Sequence, residues 1–221
     1  MCSIAYHSQR AKHAALLGLA VVVLGTGCNE RGDLTGTTPE AGELLASGSN
    51  ASDGSGSQES DGDDLCLGTM DETTVDAVVV PEGKTCTLIG TRVQGDVAVK
   101  PGATLTAEGI QVEGNVQAQG HASIALLANS VVDGDVHIQQ GGTTDVEDAR
   151  IEGNLQVQQN TGAVHLVRNV VDGQVQANQN TGGLVIANNR ISKELQCSDN
   201  NPAPTGGDNS ADDKKKQCED L

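Results

Sequence analysis

The chain has 221 residues, with 13 basic and 30 acidic side chains and a formal net charge of −17. It contains no Trp, no Phe and one tyrosine, Tyr6, so it lacks the aromatic surfaces on which bases, sugars or quaternary amines stack. The negative charge opposes contact with nucleic acid and anionic lipid headgroups. Composition therefore predicts no nucleic-acid partner, and it disfavours a helical bundle.

The N-terminus has the composition of an export signal over residues 1–27. Arg10 and Lys12 precede an apolar run at 14–25, which is too short to span a bilayer. Residues 24–28, LGTGC, resemble the lipobox of bacterial lipoproteins, although Gly25 stands where most lipoboxes have Leu.

The lipobox resemblance implies cleavage before Cys28 and lipidation of that cysteine, with the membrane as partner through the anchor. Because Asn29 rather than Asp follows the cysteine, it also implies the outer membrane or cell surface of a bacterium. Stable attachment needs at least two acyl chains, which such a modification supplies. Ordinary secretion with a free Cys28 and an uncleaved anchor remain the alternatives.

Residues 28–64 follow as an acidic linker rich in Gly and Ser. Between residues 29 and 64 nine acids accompany one base, Arg31, and apolar residues are scarce. Such a segment cannot offset its ordering entropy, so we expect a disordered tether that holds the next domain away from the bilayer. A calcium-binding or adhesive acidic tail is the alternative.

A repeat with a period of 19 or 20 residues fills the rest of the chain. Its clearest copies are 93–97, 112–116, 132–136, 151–155, 171–175 and 191–195. Two apolar columns keep the same period: Val99, Ala118, Ile138, Val157, Ala177, Cys197, and Leu88, Ala107, Leu127, Val146, Leu166, Ile186. Apolar residues that occupy alternate positions, many of them β-branched, and that recur at this period indicate stacked strands rather than helices.

We therefore predict that residues 65–221 form an all-β domain, a single-stranded, right-handed parallel β-helix of about seven coils. The coils start near Thr74, Val93, Val112, Val132, Ile151, Val171 and Ile191. Between the strands lie turn sequences such as 160–162, NTG. The glycine two residues after most coil starts predicts a corner where a Cβ would collide with an adjacent coil.

Four cysteines lie in this domain, and four cysteines allow three pairings. Cys66 and Cys86 are 20 residues apart, and Cys197 and Cys218 are 21 apart, about one coil in each case. Residues one coil apart stack at about 4.8 Å, within the range that a disulfide spans. We predict one disulfide closing each end, each worth about 3 kcal/mol, in an exported protein.

The last coil carries the most specific motif, residues 195–209, LQCSDNNPAPTGGDN, followed by Cys218. It resembles the ending of a group of secreted bacterial β-helix proteins of uncharacterised function, with repeats of the V-x-G-N-V-Q and N-T-G-G type. The resemblance covers about residues 66–218 and departs at Lys193 and Glu194, where such repeats have Gly-Asn. It implies a fold but no catalytic residues. The V-x-G-x-V repeat is also weakly similar to bactofilins, which polymerise end to end.

Two outward columns are candidate sites. Four stacked acids repel one another, and a Ca²⁺ ion or a nearby Arg150 or Arg190 would relieve that repulsion; these acids are Glu113, Asp133, Glu152 and Asp172. A solvated face that keeps the protein soluble is the alternative. The second column offers stacked amides that hydrogen-bond along the axis or bind a glycan or protein; its members are Gln117, His137, Gln156 and Gln176. His137 and His165 are interpreted as solitary exposed residues.

We predict no enzyme and no cofactor, with Ca²⁺ as the one candidate ion. The coils leave no room for insertions that would form a cleft, and the charge opposes polyanionic substrates. The expected function is an envelope lipoprotein whose β-helix has a structural role or binds an envelope glycan or protein. A polysaccharide-acting β-helix enzyme and a bactofilin-like polymer-forming scaffold are the alternatives.

Overall fold

The computed structural model describes residues 64–221, which contain 24 β-strands and no helix. The predicted signal peptide, Cys28 and the linker up to residue 63 lie outside the described residues. Asp64, assigned to the linker, is already in the first strand. No helix in this part of the chain is long and apolar enough to cross a membrane.

The strands form three parallel sheets, each of which receives one strand from every full coil. Sheet A contains β1 Asp64–Leu65, β4 Val78–Val80, β7 Val97–Val99, β10 Val116–Gln119, β13 Val136–Gln139, β16 Leu155–Gln158, β19 Val175–Asn178, β22 Glu194–Ser198 and β24 Asp213–Lys216. Sheet B contains β2 Thr69–Asp71, β5 Thr85–Ile89, β8 Thr104–Glu108, β11 Ser123–Leu127, β14 Thr143–Glu147, β17 Val164–Val167, β20 Leu184–Ala187 and β23 Thr205–Gly207. Sheet C contains β3 Thr74–Val75, β6 Arg92–Val93, β9 Gln111–Val112, β12 Val131–Val132, β15 Arg150–Ile151, β18 Val170–Val171 and β21 Arg190–Ile191.

This topology is a parallel β-solenoid and confirms the predicted fold. The seven strands of sheet C coincide with the seven predicted coil starts, and partial coils at both ends bring the total to about eight turns. Each strand pairs with the strand one coil before and one coil after it, so residues 19 or 20 apart lie side by side. The repeat period in the sequence is therefore the length of one turn.

The core is a continuous stack of aliphatic side chains inside the coils. The predicted sheet A column is confirmed, with Val99, Ala118, Ile138 and Val157 in register and almost fully buried. A narrow interior of this kind is filled by Val, Ile, Leu and Ala, which explains why the domain needs no aromatic residue.

One residue of the predicted sheet B column, Leu127, was assigned wrongly. Leu126, not Leu127, pairs with Ala107 and Val146 and is 2% exposed. The extra residue of this 20-residue coil lies in the corner after β11, where Ala128 and Asn129 both adopt positive φ angles. A corner insertion leaves the strand register intact, so the sequence period alone did not locate it.

Glycines mark the corner between sheets C and A, as predicted. A Cβ added to Gly134 would lie 2.5 Å from the carbonyl oxygen of Gly114 in the preceding coil. That distance is shorter than any ordinary van der Waals contact, so only glycine allows the two backbones to approach there. The backbone hydrogen bonds of this corner continue from coil to coil and reach Lys193, whose N–H donates to the Gly173 carbonyl at 3.2 Å.

Disulfides close both ends of the stack. Cys66 bonds to Cys86, with Cα atoms 5.5 Å apart, and Cys197 bonds to Cys218, with Cα atoms 5.2 Å apart. All four cysteines are fully buried. The predicted pairing is confirmed, and two disulfides are typical of a protein that matures in an oxidising compartment.

Candidate functional site

The amide column predicted from the sequence is a continuous ladder on the outer surface of sheet A. Gln117 lies opposite His137, His137 opposite Gln156, and Gln156 opposite Gln176. Parallel strands lie about 4.8 Å apart, so these side chains form a regular row along the solenoid axis.

A second polar row runs beside the first, two residues further along each strand. It contains Gln119, Gln139, Gln158 and Asn178 in register. We call the two rows together the amide face: Gln117, Gln119, His137, Gln139, Gln156, Gln158, Gln176 and Asn178. It contains no carboxylate, ammonium or guanidinium group, although the chain as a whole carries a charge of −17.

A shallow groove crosses the amide face. A cavity of about 180 Å³ lies between β7 and β13, and Lys100, Gln117, Gln119 and His137 are among the residues that line it. A smaller cavity of about 40 Å³ lies beside His137 and Gln156. The two cavities share His137 and Gln139 in their linings and follow each other along the axis.

Most side chains of the amide face keep their hydrogen-bonding groups available. Within residues 64–221, Gln117 and Gln176 make no side-chain hydrogen bond, and Gln156 accepts only a long one from Gln158 at 3.5 Å. His137 Nε2 and Asn178 Oδ1 are buried atoms without a hydrogen-bond partner in the structure. The unpaired amides of Gln117 and Gln176 therefore offer donors and acceptors to a ligand, whereas His137 Nε2 and Asn178 Oδ1 are covered by neighbouring atoms.

The neighbouring corner uses its amides differently. Gln119 donates to Gln140, Gln140 to Gln159 and Gln159 to Gln179, over 3.1 to 3.2 Å. The last three adopt positive φ angles at the turn after sheet A. The predicted axial hydrogen bonding of stacked amides is thus present, but mainly in this corner ladder, which borders the groove and orders its edge.

Sequence reasoning did not find the buried asparagine ladders. In one corner Asn160, Asn180 and Asn200 hydrogen-bond in series, and in another Asn169, Asn189 and Asn209 do the same. Each amide also donates to a strand carbonyl of the preceding coil, as Asn180 does to Val157. Recurrence of Asn at a spacing of 20 residues was the available signal, and it had been interpreted only as turn composition.

His121 lies in the same corner as Asn160, between sheets A and B. Its ring is 2% exposed and lies over Gly141, where an added Cβ would be 2.1 Å from the imidazole. Burial lowers the pKa of His121 below its ordinary value of 6.5, and Nε2 hydrogen-bonds to Thr144 Oγ1 at 3.2 Å. A neutral imidazole therefore replaces one side-chain amide in the corner.

Three of the four acids proposed as calcium ligands, Glu113, Glu152 and Asp172, contact an arginine in the described structure, and Asp133 does not. Arg92 contacts Glu113 at 2.5 Å, and Arg150 contacts Asp172 at 2.5 Å and Glu152 at 3.6 Å. Arg150 had been named as an alternative to the cation. In residues 64–221 these acids do not form a group of three with ligand atoms within 4.8 Å of one another. Calcium binding here stays a prediction.

His165 is not solitary. Its Nδ1 lies 2.6 Å from Asp145 Oδ1 on the outer surface of sheet B, which the histidine interpretation had missed. The two residues are separated by one coil and stand opposite each other in β14 and β17. Within the described residues no serine, threonine or cysteine side chain hydrogen-bonds to the other ring nitrogen, Nε2.

Comparisons with protein-family models, curated proteins and solved structures found no match for the chain. The resemblance to secreted β-helix proteins consequently rests on the repeat and the C-terminal motif, and the site is interpreted from its own geometry.

Proposed function

We propose that this protein is an exported, lipid-anchored envelope protein whose β-solenoid binds a neutral, hydroxyl-rich glycan on the amide face. One observation carries the binding proposal: in a strongly acidic protein, the described residues that line this groove include no acid and are mainly amides, with Lys100 as the one charged side chain. Amides donate and accept hydrogen bonds, as sugar hydroxyls do, and a neutral face imposes no repulsion on a neutral polymer.

The repetitive geometry favours a polymer over a small molecule. Equivalent side chains recur at each coil along the axis, so successive units of an extended chain would meet the same donors and acceptors. Each contact is individually weak in water, and several in a row add up to useful affinity because the polymer is already tethered by its neighbours.

The test is co-sedimentation of the protein with insoluble envelope glycan. We expect the double substitution Gln156→Glu and Gln176→Glu to reduce binding at least tenfold, because two adjacent carboxylates would replace neutral donors. The matched control is Thr87→Glu with Thr106→Glu, an equally adjacent pair on sheet B. Equal loss in both double variants would contradict an amide-face site, as would absence of glycan binding by the unmodified protein.

The anchor is tested separately. We expect cells fed a labelled fatty acid to transfer the label to the protein and to lose that transfer on Cys28→Ser. An unlabelled protein would refute lipidation without affecting the glycan proposal.

A polymer-forming scaffold is the second candidate. Leu65 and Leu67, at the first coil, are 62% and 67% exposed, which favours association through that end. By contrast, β24 at the other end carries Lys214, Lys215 and Lys216, and lysines on an edge strand oppose strand addition. Concentration-dependent sedimentation that Leu65→Lys abolishes would favour the scaffold.

A further inference from the structure

Three different metal-ligating side chains meet on the outer surface of sheet B. One ligand atom from each of Asp145, Glu147 and His165 lies within 4.8 Å of the other two, and this is the one such group found in residues 64–221. Asp145 and Glu147 are two residues apart in β14, so both side chains lie on the same side of the sheet. His165 is opposite Asp145 in β17.

The surrounding positions are aliphatic. Along the column that contains the pair, Asp145 is preceded by Ala125 and His165 is followed by Val185, while Glu147 lies opposite Val167. None of these neighbours offers an alternative hydrogen-bond partner to the carboxylates or the imidazole. The three groups therefore lie together, half-buried, and Arg168, which follows β17, is the charged side chain that contacts them.

The ligand set defines the class of ion. One imidazole nitrogen with two carboxylates suits Zn²⁺ and similar transition metals, whereas Ca²⁺ and Mg²⁺ take oxygen ligands. Zinc bonds to histidine nitrogen and carboxylate oxygen at about 2.0–2.2 Å, so three tetrahedral ligand atoms lie about 3.4 Å apart. His165 Nδ1 and Asp145 Oδ1 lie 2.6 Å apart and would separate by about 0.8 Å to hold the ion, and a Glu147 oxygen within 4.8 Å of both supplies the third ligand.

Arg168 is the group that competes for Glu147. It contacts Glu147 once, at 3.1 Å, but Asp148 twice, at 2.8 and 2.7 Å. Arg168 therefore keeps its stronger partner when Glu147 turns away. Three carboxylates and one guanidinium leave two negative charges, which a divalent ion balances.

We propose that Asp145, Glu147 and His165 bind a zinc ion that links two adjacent coils of the solenoid. The ion would join β14 to β17 across the parallel pair and leave a fourth position for water. This site is on a different sheet from the amide face and does not depend on the proposed glycan function.

The test is thermal unfolding of the full-length chain in detergent, followed by far-UV circular dichroism with and without ZnCl₂. An ion that binds the folded solenoid raises its unfolding temperature, and we expect a rise of several degrees at about 0.5 mM zinc. CaCl₂ at the same concentration should produce no comparable rise.

The variants decide which residues hold the ion. We expect His165→Gln and Asp145→Asn each to abolish the zinc-dependent rise, while His137→Gln, the matched histidine substitution on sheet A, retains it. If one site variant fails to fold, the other gives the answer. The proposal is overturned if zinc does not raise the unfolding temperature of the unmodified protein. It is also overturned if the rise persists in both site variants.

Discussion

Replacing Asn180 by alanine should destabilise the solenoid by about 3 kcal/mol. The Asn180 side chain is 1% exposed and makes four hydrogen bonds. Its Nδ2 donates to Val157 O and to Asn200 Oδ1, both at 3.0 Å, and its Oδ1 accepts from Asn160 N and Asn160 Nδ2, both at 3.1 Å. Alanine leaves the Asn160 N–H without an acceptor and weakens three other groups, and each buried group left unpaired costs about 1–3 kcal/mol.

Guanidinium unfolding monitored by far-UV circular dichroism measures this loss, since the chain has no tryptophan to report by fluorescence. The control is Gln94→Ala, an exposed polar side chain without a hydrogen bond in the described structure, for which we expect a change within about 0.5 kcal/mol. Hydrogen exchange locates the effect: the Asn160 amide should exchange about 100-fold faster, while the Asn169 amide of the other ladder changes less. A loss below about 1 kcal/mol, or unaltered Asn160 exchange, would refute the reasoning.

Three further predictions concern the corners and ends. Gly134→Ala should lower the free energy of unfolding by about 3 kcal/mol, because the added Cβ would lie 2.5 Å from a backbone oxygen of the preceding coil. Gly68→Ala should change it little, because the added Cβ would have no atom within 4 Å. Similar losses in the two variants would contradict the corner argument. Burial lowers the pKa of His121, so its contribution to stability should be complete above about pH 6.5 and should fall below that pH, where the ring is protonated in the unfolded chain. The unfolding midpoints at pH 7 and pH 5 should therefore differ less in the His121→Asn variant than in the unmodified protein. Equal pH dependence of the two proteins would show that His121 is not the cause. Replacing both Cys197 and Cys218 by serine should lower stability by about 3 kcal/mol, and a dithiothreitol-treated melt of that variant should show only the loss from the other disulfide.

Much of the fold followed from one property of the sequence, its period. Because residues one coil apart lie side by side in a parallel solenoid, the 19- or 20-residue spacing predicted the strand pairs, the buried aliphatic columns and the glycine corner. The same spacing predicted both disulfides, since cysteines one coil apart are within bonding range. The amide row was predicted for the same reason: Gln117, His137, Gln156 and Gln176 share one position in consecutive coils.

The corners were predicted less well. Leu127 was assigned to the core because the period gives the length of a coil but not the place where an extra residue is inserted. In the structure the insertion is taken up by Ala128 and Asn129 at positive φ, and Leu126 remains inside. The asparagine ladders were missed because the sequence of a turn does not show whether its Asn side chain points into solvent or into the coil.

The sequence by itself predicted the architecture of residues 65–221, because alternating apolar positions that recur every 19 or 20 residues are buried when successive turns stack on one another. Only the tertiary structure decided which outward groups meet. Asp145 and His165 come together because their strands are paired in a particular register. Arg150 contacts Asp172 because its long side chain extends to the next coil, although Glu152 is also near it. The repeat specifies which side chains are buried, because removing apolar surface from water is favourable in every coil. Contacts between exposed side chains depend on rotamers and neighbouring residues, which the repeat period does not specify.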